Sequence, residues 1–94
     1  MRQEGNIQEA LDLFQTCTLL NPHSAGNFKQ VARCFFLMAR HKAAIDVYDK
    51  AEELVSGDWE IAHNKAVCYL YLKEFRLAEE FFEKALQTAH RDLT

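Results

Sequence analysis

Three residues able to open a helix, Ser24, Asp58 and Asp92, stand at 34-residue intervals, and most of the apolar pattern between them recurs at that interval. A repeat of this length is a supersecondary unit that cannot bury its own apolar face, so neighbouring copies must stack and share one continuous core. The chain is therefore constrained to be a row of similar units rather than a domain wrapped around a single centre.

Aligned on itself, the sequence puts Ala10, Ala44 and Ala78 in one column, Phe14, Tyr48 and Phe82 in the next, then Cys17, Ala51 and Ala85. A small residue lets two helix backbones approach, and an aromatic one turn later fills the space that opens as their axes diverge. A matching stripe of Phe28, Val31, Ala32, Phe35 and Met38 recurs as Ala62, Ala66, Tyr69 and Leu72, at spacings of three and four that lie on one side of a helix. Ser24 and Asp58 can cap helix starts, while Pro22 and Gly57 stand where helices stop. These signals predict helices near residues 7–20, 25–38, 41–54, 59–72 and 75–88. No segment alternates over a strand's length. The expected fold is all-α, an antiparallel helix solenoid resembling the tetratricopeptide repeat, with about two and a half repeats in one region. Its divisions are a partial repeat at 1–22 (second helix only), full repeats at 23–56 and 57–90, and the start of another at 91–94.

Both ends read as unfinished, which suggests a piece of a longer array. Leu11, Phe14 and Leu19 at one end, and Phe81, Phe82 and Leu86 at the other, have no evident cover. Fewer than three repeats is marginal, so the isolated chain is expected to associate with itself through these ends. Phe82 reads as a core aromatic, worth about 3 to 5 kcal/mol on truncation to Ala. Lys65 falls on the buried stripe, where its ammonium must either snorkel to water or pair with an acid such as Glu79 or Glu83.

Composition narrows the function classes. The longest apolar runs are only a handful of residues, as in Val67 to Leu72, and the N-terminus has no signal-peptide pattern, so membrane insertion is not expected. Cys17, Cys34 and Cys68 form no CxxC pair, which suits reduced thiols in the cytoplasm. They and His23, His41, His63 and His90 lack the close pairing of a zinc site, so no metal and no cofactor are expected. The three glycines stand apart and no HExxH or oriented nucleophile is present, so no enzyme is expected. A net charge of −3 and a pI near 5.7 argue against nucleic acid as partner.

Charge distribution says more. Between His23 and Ile45 there are four basic residues, Lys29, Arg33, Arg40 and Lys42, and no acid. In a repeat superhelix the concave face is lined by first-helix residues pointing away from the second helix. Here these are Lys29, Arg33, Phe36 and Leu37, then His63, Asn64, Val67, Leu70 and Tyr71. Arg33 can hold a carboxylate bidentately and Lys29 adds a point charge one turn away. That suits an acidic or C-terminal peptide; the alternative is that the charges are merely solvated or paired. Lys29 and Asn64 also match part of the two-carboxylate clamp of co-chaperones, but Arg33 occupies a place where that clamp has Asn.

Beyond the repeat, Gly5 to Cys17 (GNIQEALDLFQTC), Lys29 to Arg33 (KQVAR), His41 to Tyr48 (HKAAIDVY), Asp58 to Asn64 (DWEIAHN) and Val67 to Phe75 (VCYLYLKEF) closely resemble the middle repeats of the fourth Bardet-Biedl syndrome family, a subunit family of the BBSome. Where that family more usually has Leu-Gly, this chain has Lys65-Ala66. The resemblance implies a non-catalytic protein-protein scaffold in a coat-like complex for ciliary membrane-protein trafficking. Its implied partners are other subunits of that complex and pericentriolar proteins, at the centrosome, basal body and cilium. A stand-alone adaptor holding a peptide in its concave groove is the other reading.

Overall fold

Cap and corner signals lay down five helices in the computed structural model, which describes the backbone of residues 2–93 and the side-chain surroundings of residues 6–90. They are α1 (Arg2–Leu20), α2 (Ala25–Leu37), α3 (His41–Leu54), α4 (Trp59–Tyr71) and α5 (Phe75–Leu93). The Ser24 Oγ accepts from the Asn27 N–H at 3.2 Å, and the Asp58 Oδ1 accepts from the Glu60 N–H at 2.9 Å, so both predicted caps satisfy an otherwise orphaned first-turn donor. Gly57 takes a left-handed φ of 80° just before α4, a conformation glycine adopts without steric cost.

The two hairpins turn the same corner 34 residues apart. Ala39 (φ 64°) and Lys73 (φ 63°) are both left-handed, and each corner closes with two backbone hydrogen bonds. Arg40 N–H donates to Phe35 O at 2.8 Å and Ala39 N–H to Phe36 O at 2.9 Å; Glu74 N–H donates to Tyr69 O at 2.9 Å and Lys73 N–H to Leu70 O at 3.0 Å. This 6→1, 5→2 pairing is a Schellman closure without its usual glycine.

Helices α1 and α5 run further than expected. Helix α1 starts at Arg2 rather than near Ile7, and α5 continues through Asp92 to Leu93, so Asp92 opens no new helix. The reason at the C-terminal side is local: no Pro or Gly follows Gly57, and nothing in Gln87 to Asp92 stops a helix. Thr94 lies outside the described residues.

The principal contacts join consecutive helices, α1 to α2, α2 to α3, α3 to α4 and α4 to α5, which is the antiparallel up-down order of a tetratricopeptide array. The slab measures 37 × 29 × 19 Å. Its main core gathers Ala32, Ala44, Ile45, Tyr48, Ala51, Ile61 and Cys68, while a smaller cluster of Leu11, Val31 and Cys34 seats α1. Repeat columns are driest in the middle: Ala44, Tyr48 and Ala51 are buried, whereas Ala10, Phe14 and Cys17 in α1 are only half-buried.

Four expectations change here. Leu11 is 5% exposed because it sits against Val31 and Cys34, and Phe81 is half-covered by stacking on Tyr69; Leu19 and Leu86 are open, at 82% and 71%. Leu72 is 39% exposed, being the C-cap residue where the helical stripe has run out. Phe82 is only half-buried, edge-on to His63 at 5.6 Å. Lys65 does not snorkel, and its partners are not Glu79 or Glu83. It is buried, paired with Asp49 and, at 3.4 Å, with Glu52 of α3, and its ammonium lies 4.5 Å from the Phe81 ring centre. Burial works against its charge, but Asp49 and Glu52 outweigh it and raise its pKa. The stripe carries Lys65 toward α3, the preceding helix, where acids stand one turn apart.

Ile61, with no exposed surface, fills the seam between α3 and α4. Ile61→Ala should cost about 2 to 5 kcal/mol, and Phe82→Ala, half-open, only about 1 to 2 kcal/mol. Urea unfolding of the two variants reads the order, and a larger loss for Phe82→Ala would contradict this placement of the core.

Candidate functional site: the concave face

Helices α2 and α4 present their outward stripes on the same side of the slab, and the residues expected there fall into several overlapping groups. Arg33, Phe36, Leu37, Asn64 and Val67 come together with Tyr48 around a pocket of about 190 Å³. Lys29, Arg33 and Asn64 border a second, more polar hollow of about 160 Å³ with Gly26, Gln30, Tyr48 and Glu60. Tyr71 stacks on His41 at 4.7 Å, with Phe36 edge-on to both at 5.6 and 5.5 Å. His63 and Leu70 face elsewhere. His63 joins Trp59 and Phe82 in one depression, and Leu70 joins Phe75, Phe82 and Leu86 in another.

Lys29 is not available as a second cation for a ligand. Its ammonium donates to Asp58 Oδ2 at 2.9 Å and to Glu60 Oε1 at 2.7 Å, tying α2 to the start of α4. Burial disfavours the Lys29 charge, yet Glu60 and Asp58 more than offset this and raise its pKa; the same bond, with the Glu60 N–H, overrides burial at Asp58 and lowers its carboxyl. The expected acidic-peptide pair therefore reduces to one cation. Arg33 is exposed, and among the described residues it makes no ion pair.

The repeat column of Tyr48 implies only a packing aromatic, and the structure also puts it on the floor of both hollows, beside Asn64. The signal was available in its column, where Phe14 and Phe82 carry no hydroxyl. Burial pushes the Tyr48 phenol up to about 12 and the Cys68 thiol up to about 11. Glu60 and Gln30 carry no signal in the sequence, and the stacking role of His41 is invisible there, because all three depend on contacts between helices. Among the described residues, no group of three or more His, Cys, Asp or Glu is placed to hold a metal ion, and no helix is long and apolar enough to cross a membrane.

Its repeated hairpins, capped helix starts and shared first-helix face make the chain a tetratricopeptide-repeat array. The tetratricopeptide-repeat family profile matches residues 60–89. MamA is similar in structure, with a TM-score of 0.89 at 23% identity over 94% of this chain and 52% of that one. The type III secretion chaperone SycD of Yersinia enterocolitica, in complex with a peptide of the translocator YopD, gives a TM-score of 0.86 at 22% identity over 93% of this chain and 66% of that one. In sequence the chain is BBS4-like. It is 56% identical over 93 residues to the BBSome complex member BBS4 of Mus musculus, and 53% identical over 94 residues to that of Xenopus tropicalis. It is 38% identical over 63 residues to the Drosophila melanogaster homolog. The matches cover 99% and 100% of this chain for the mouse and frog proteins and 66% for the fly protein; the chain spans 18% of the length of the first two and 13% of the third.

Because Tyr48 and Cys68 are held neutral by burial, their contribution to stability is complete below about pH 9 and is lost as pH rises toward 12. Lys29 and Lys65, with raised values, act in the same direction above their ordinary 10.5, whereas Asp58 contributes above 3.8 and loses its share as pH falls through its lowered folded value. The urea midpoint should therefore fall between pH 8 and pH 10.5, and a flat profile would contradict the burial of both acids.

Proposed function

We propose that the chain is part of a non-catalytic protein-protein scaffold that joins the other subunits of a BBSome-type complex and serves ciliary membrane-protein trafficking. Its sites of action on this reading are the centrosome, basal body and cilium, with pericentriolar proteins as further partners. The carrying observation is a contrast in identity. MamA has nearly the same fold at 23% identity, while the mouse BBSome member matches at 56%. Packing needs only the lower figure, and among the described residues the buried side chains are fourteen hydrophobics and Lys65. The excess identity must include exposed positions, which subunit contact constrains and folding does not.

The proposed divisions remain a partial repeat to residue 22 and units at 23–56 and 57–90. The adaptor reading rests on one observation, the concave pocket beside the unpaired Arg33. A coat subunit buries broad faces against folded neighbours, whereas a peptide adaptor saturates with a short ligand and weakens with salt.

Affinity capture from a ciliated-cell lysate with the tagged chain should recover BBSome subunits identified by mass spectrometry. Recovery without any of them would overturn the scaffold reading. Arg33→Glu in parallel should leave helicity intact and separate the readings, since only an adaptor loses its partner to that single change. The isolated chain should also self-associate through its open ends, where Leu19, Leu20 and Leu86 are 71% to 82% exposed. Sedimentation velocity should show a concentration-dependent dimer that Leu19→Glu with Leu86→Glu dissolves; a wild-type monomer at all concentrations would dismiss it.

A further inference from the structure

We infer that the opposite face of the slab, where α3 and α5 flank α4, docks a short extended segment of a partner protein that carries a basic side chain between two apolar ones.

A channel of about 430 Å³ runs there, and it shares no lining residue with the two concave hollows. Ile45 of α3 and Leu77 of α5 line its sides, while Tyr69 and Leu72, on the side of α4 turned away from the concave pocket, form its floor. Leu72 is 39% exposed, so the fold leaves apolar surface open at the bottom of the channel. An engineered apolar cavity of about 150 Å³ holds one benzene ring, so there is room here for roughly two large apolar side chains. From Lys42 to Asp49 is about two turns of α3, roughly 10 Å, a length that three extended residues also span. Alternate side chains of an extended segment point the same way, so the first and third residues enter together and the second turns up to the rim.

Charge selects the residue at that rim. Asp46 stands on the α3 wall and Glu74 beside the start of α5, both exposed and, among the described residues, in no ion pair. Asp49 is taken up by the buried Lys65. Lys42, one turn before Asp46, brings one ammonium to the lining, which leaves two free carboxylates against it. An arginine at the rim can lay its apolar stem over the floor and give its guanidinium to a carboxylate in a bidentate bond. An acidic residue in its place would face both carboxylates.

The test is an amide NMR titration of the isotopically labelled whole chain with a capped heptapeptide in which leucine, arginine and leucine are flanked by glycine and serine. Shifts should cluster at Lys42 to Asp49 and at Tyr69 to Leu77, with a Kd roughly fivefold or more below that of the same peptide with glutamate in place of arginine. Exchanging both leucines for serine should abolish saturable shifts. Asp46→Lys with Glu74→Lys should raise the Kd of the arginine peptide roughly tenfold, whereas Lys42→Glu should lower it, a gain that unfolding cannot imitate. Arg33→Gln, on the other face, should change nothing. Circular dichroism checks that the variants, all at exposed positions, keep their helicity. A glutamate peptide that binds as well as the arginine one, indifference to Asp46→Lys with Glu74→Lys, no saturable shift with any peptide, or shifts confined to the concave residues would each overturn the inference. Shifts of the channel amides on dilution of the protein alone, without response to the peptide, would also overturn it and assign the channel to a second copy of the chain.

Discussion

Close approach of helix backbones at alanine is the constraint on which the rest of the structure depends. Ala32, Ala44, Ala51 and Ala66 have no exposed surface, and each stands where a larger side chain would hold two axes apart. The aromatic and branched residues do their filling around these contacts: Tyr48 spans the space between hairpins and Ile61 closes the seam to α4. Fully buried side chains of large volume are few, with Ile61 and Cys68 the largest. Stability therefore comes from area shared between thin layers, and each layer depends on its neighbour.

Two lysines secure the same junction between the α2–α3 and α4–α5 hairpins from opposite sides. Lys29 reaches Asp58 and Glu60 at the start of α4, while Lys65 turns back from α4 onto Asp49 and Glu52 of α3. A buried ion pair of the second kind is weak as a source of stability, because desolvation consumes much of the attraction. Its effect is on register: sliding α4 by a turn would strand an ammonium in the core. Lys84, 3.6 Å from Glu52, extends the set to α5.

The sequence carried the architecture in its 34-residue columns, because small and aromatic residues at those spacings have one geometric use. It was silent wherever self-alignment hid a residue. Ile61 aligns with Asn27, which has no apolar signal, so the repeat columns do not mark the best-buried branched side chain among the described residues. Lys29 looked free because its acids lie 29 and 31 residues away and meet it only through the fold. Of the groove residues, those in the middle of α2 and α4 converge as the stripe implies. His63 and Leu70 diverge because they lie on the side of α4 turned toward α5, where they meet Phe82, Leu86 and Phe75. Helix ends are legible where Ser24, Asp58 or Gly57 marks them and not at the start of α1 or the end of α5, which have no such mark.

The left-handed corners at Ala39 and Lys73 have a mechanical consequence. Each hairpin is closed at its bend by a pair of short backbone bonds, so it behaves as a rigid plate. The stretch from Val55 to Asp58, by contrast, has Gly57 and, among the described residues, no comparable closure back onto α3 beyond the bond from Val55 N–H to Ala51 O. The joint between the α2–α3 and α4–α5 hairpins therefore has little backbone closure of its own, and it is held by side chains, Lys29 on Asp58 and Glu60 and Lys65 on Asp49 and Glu52.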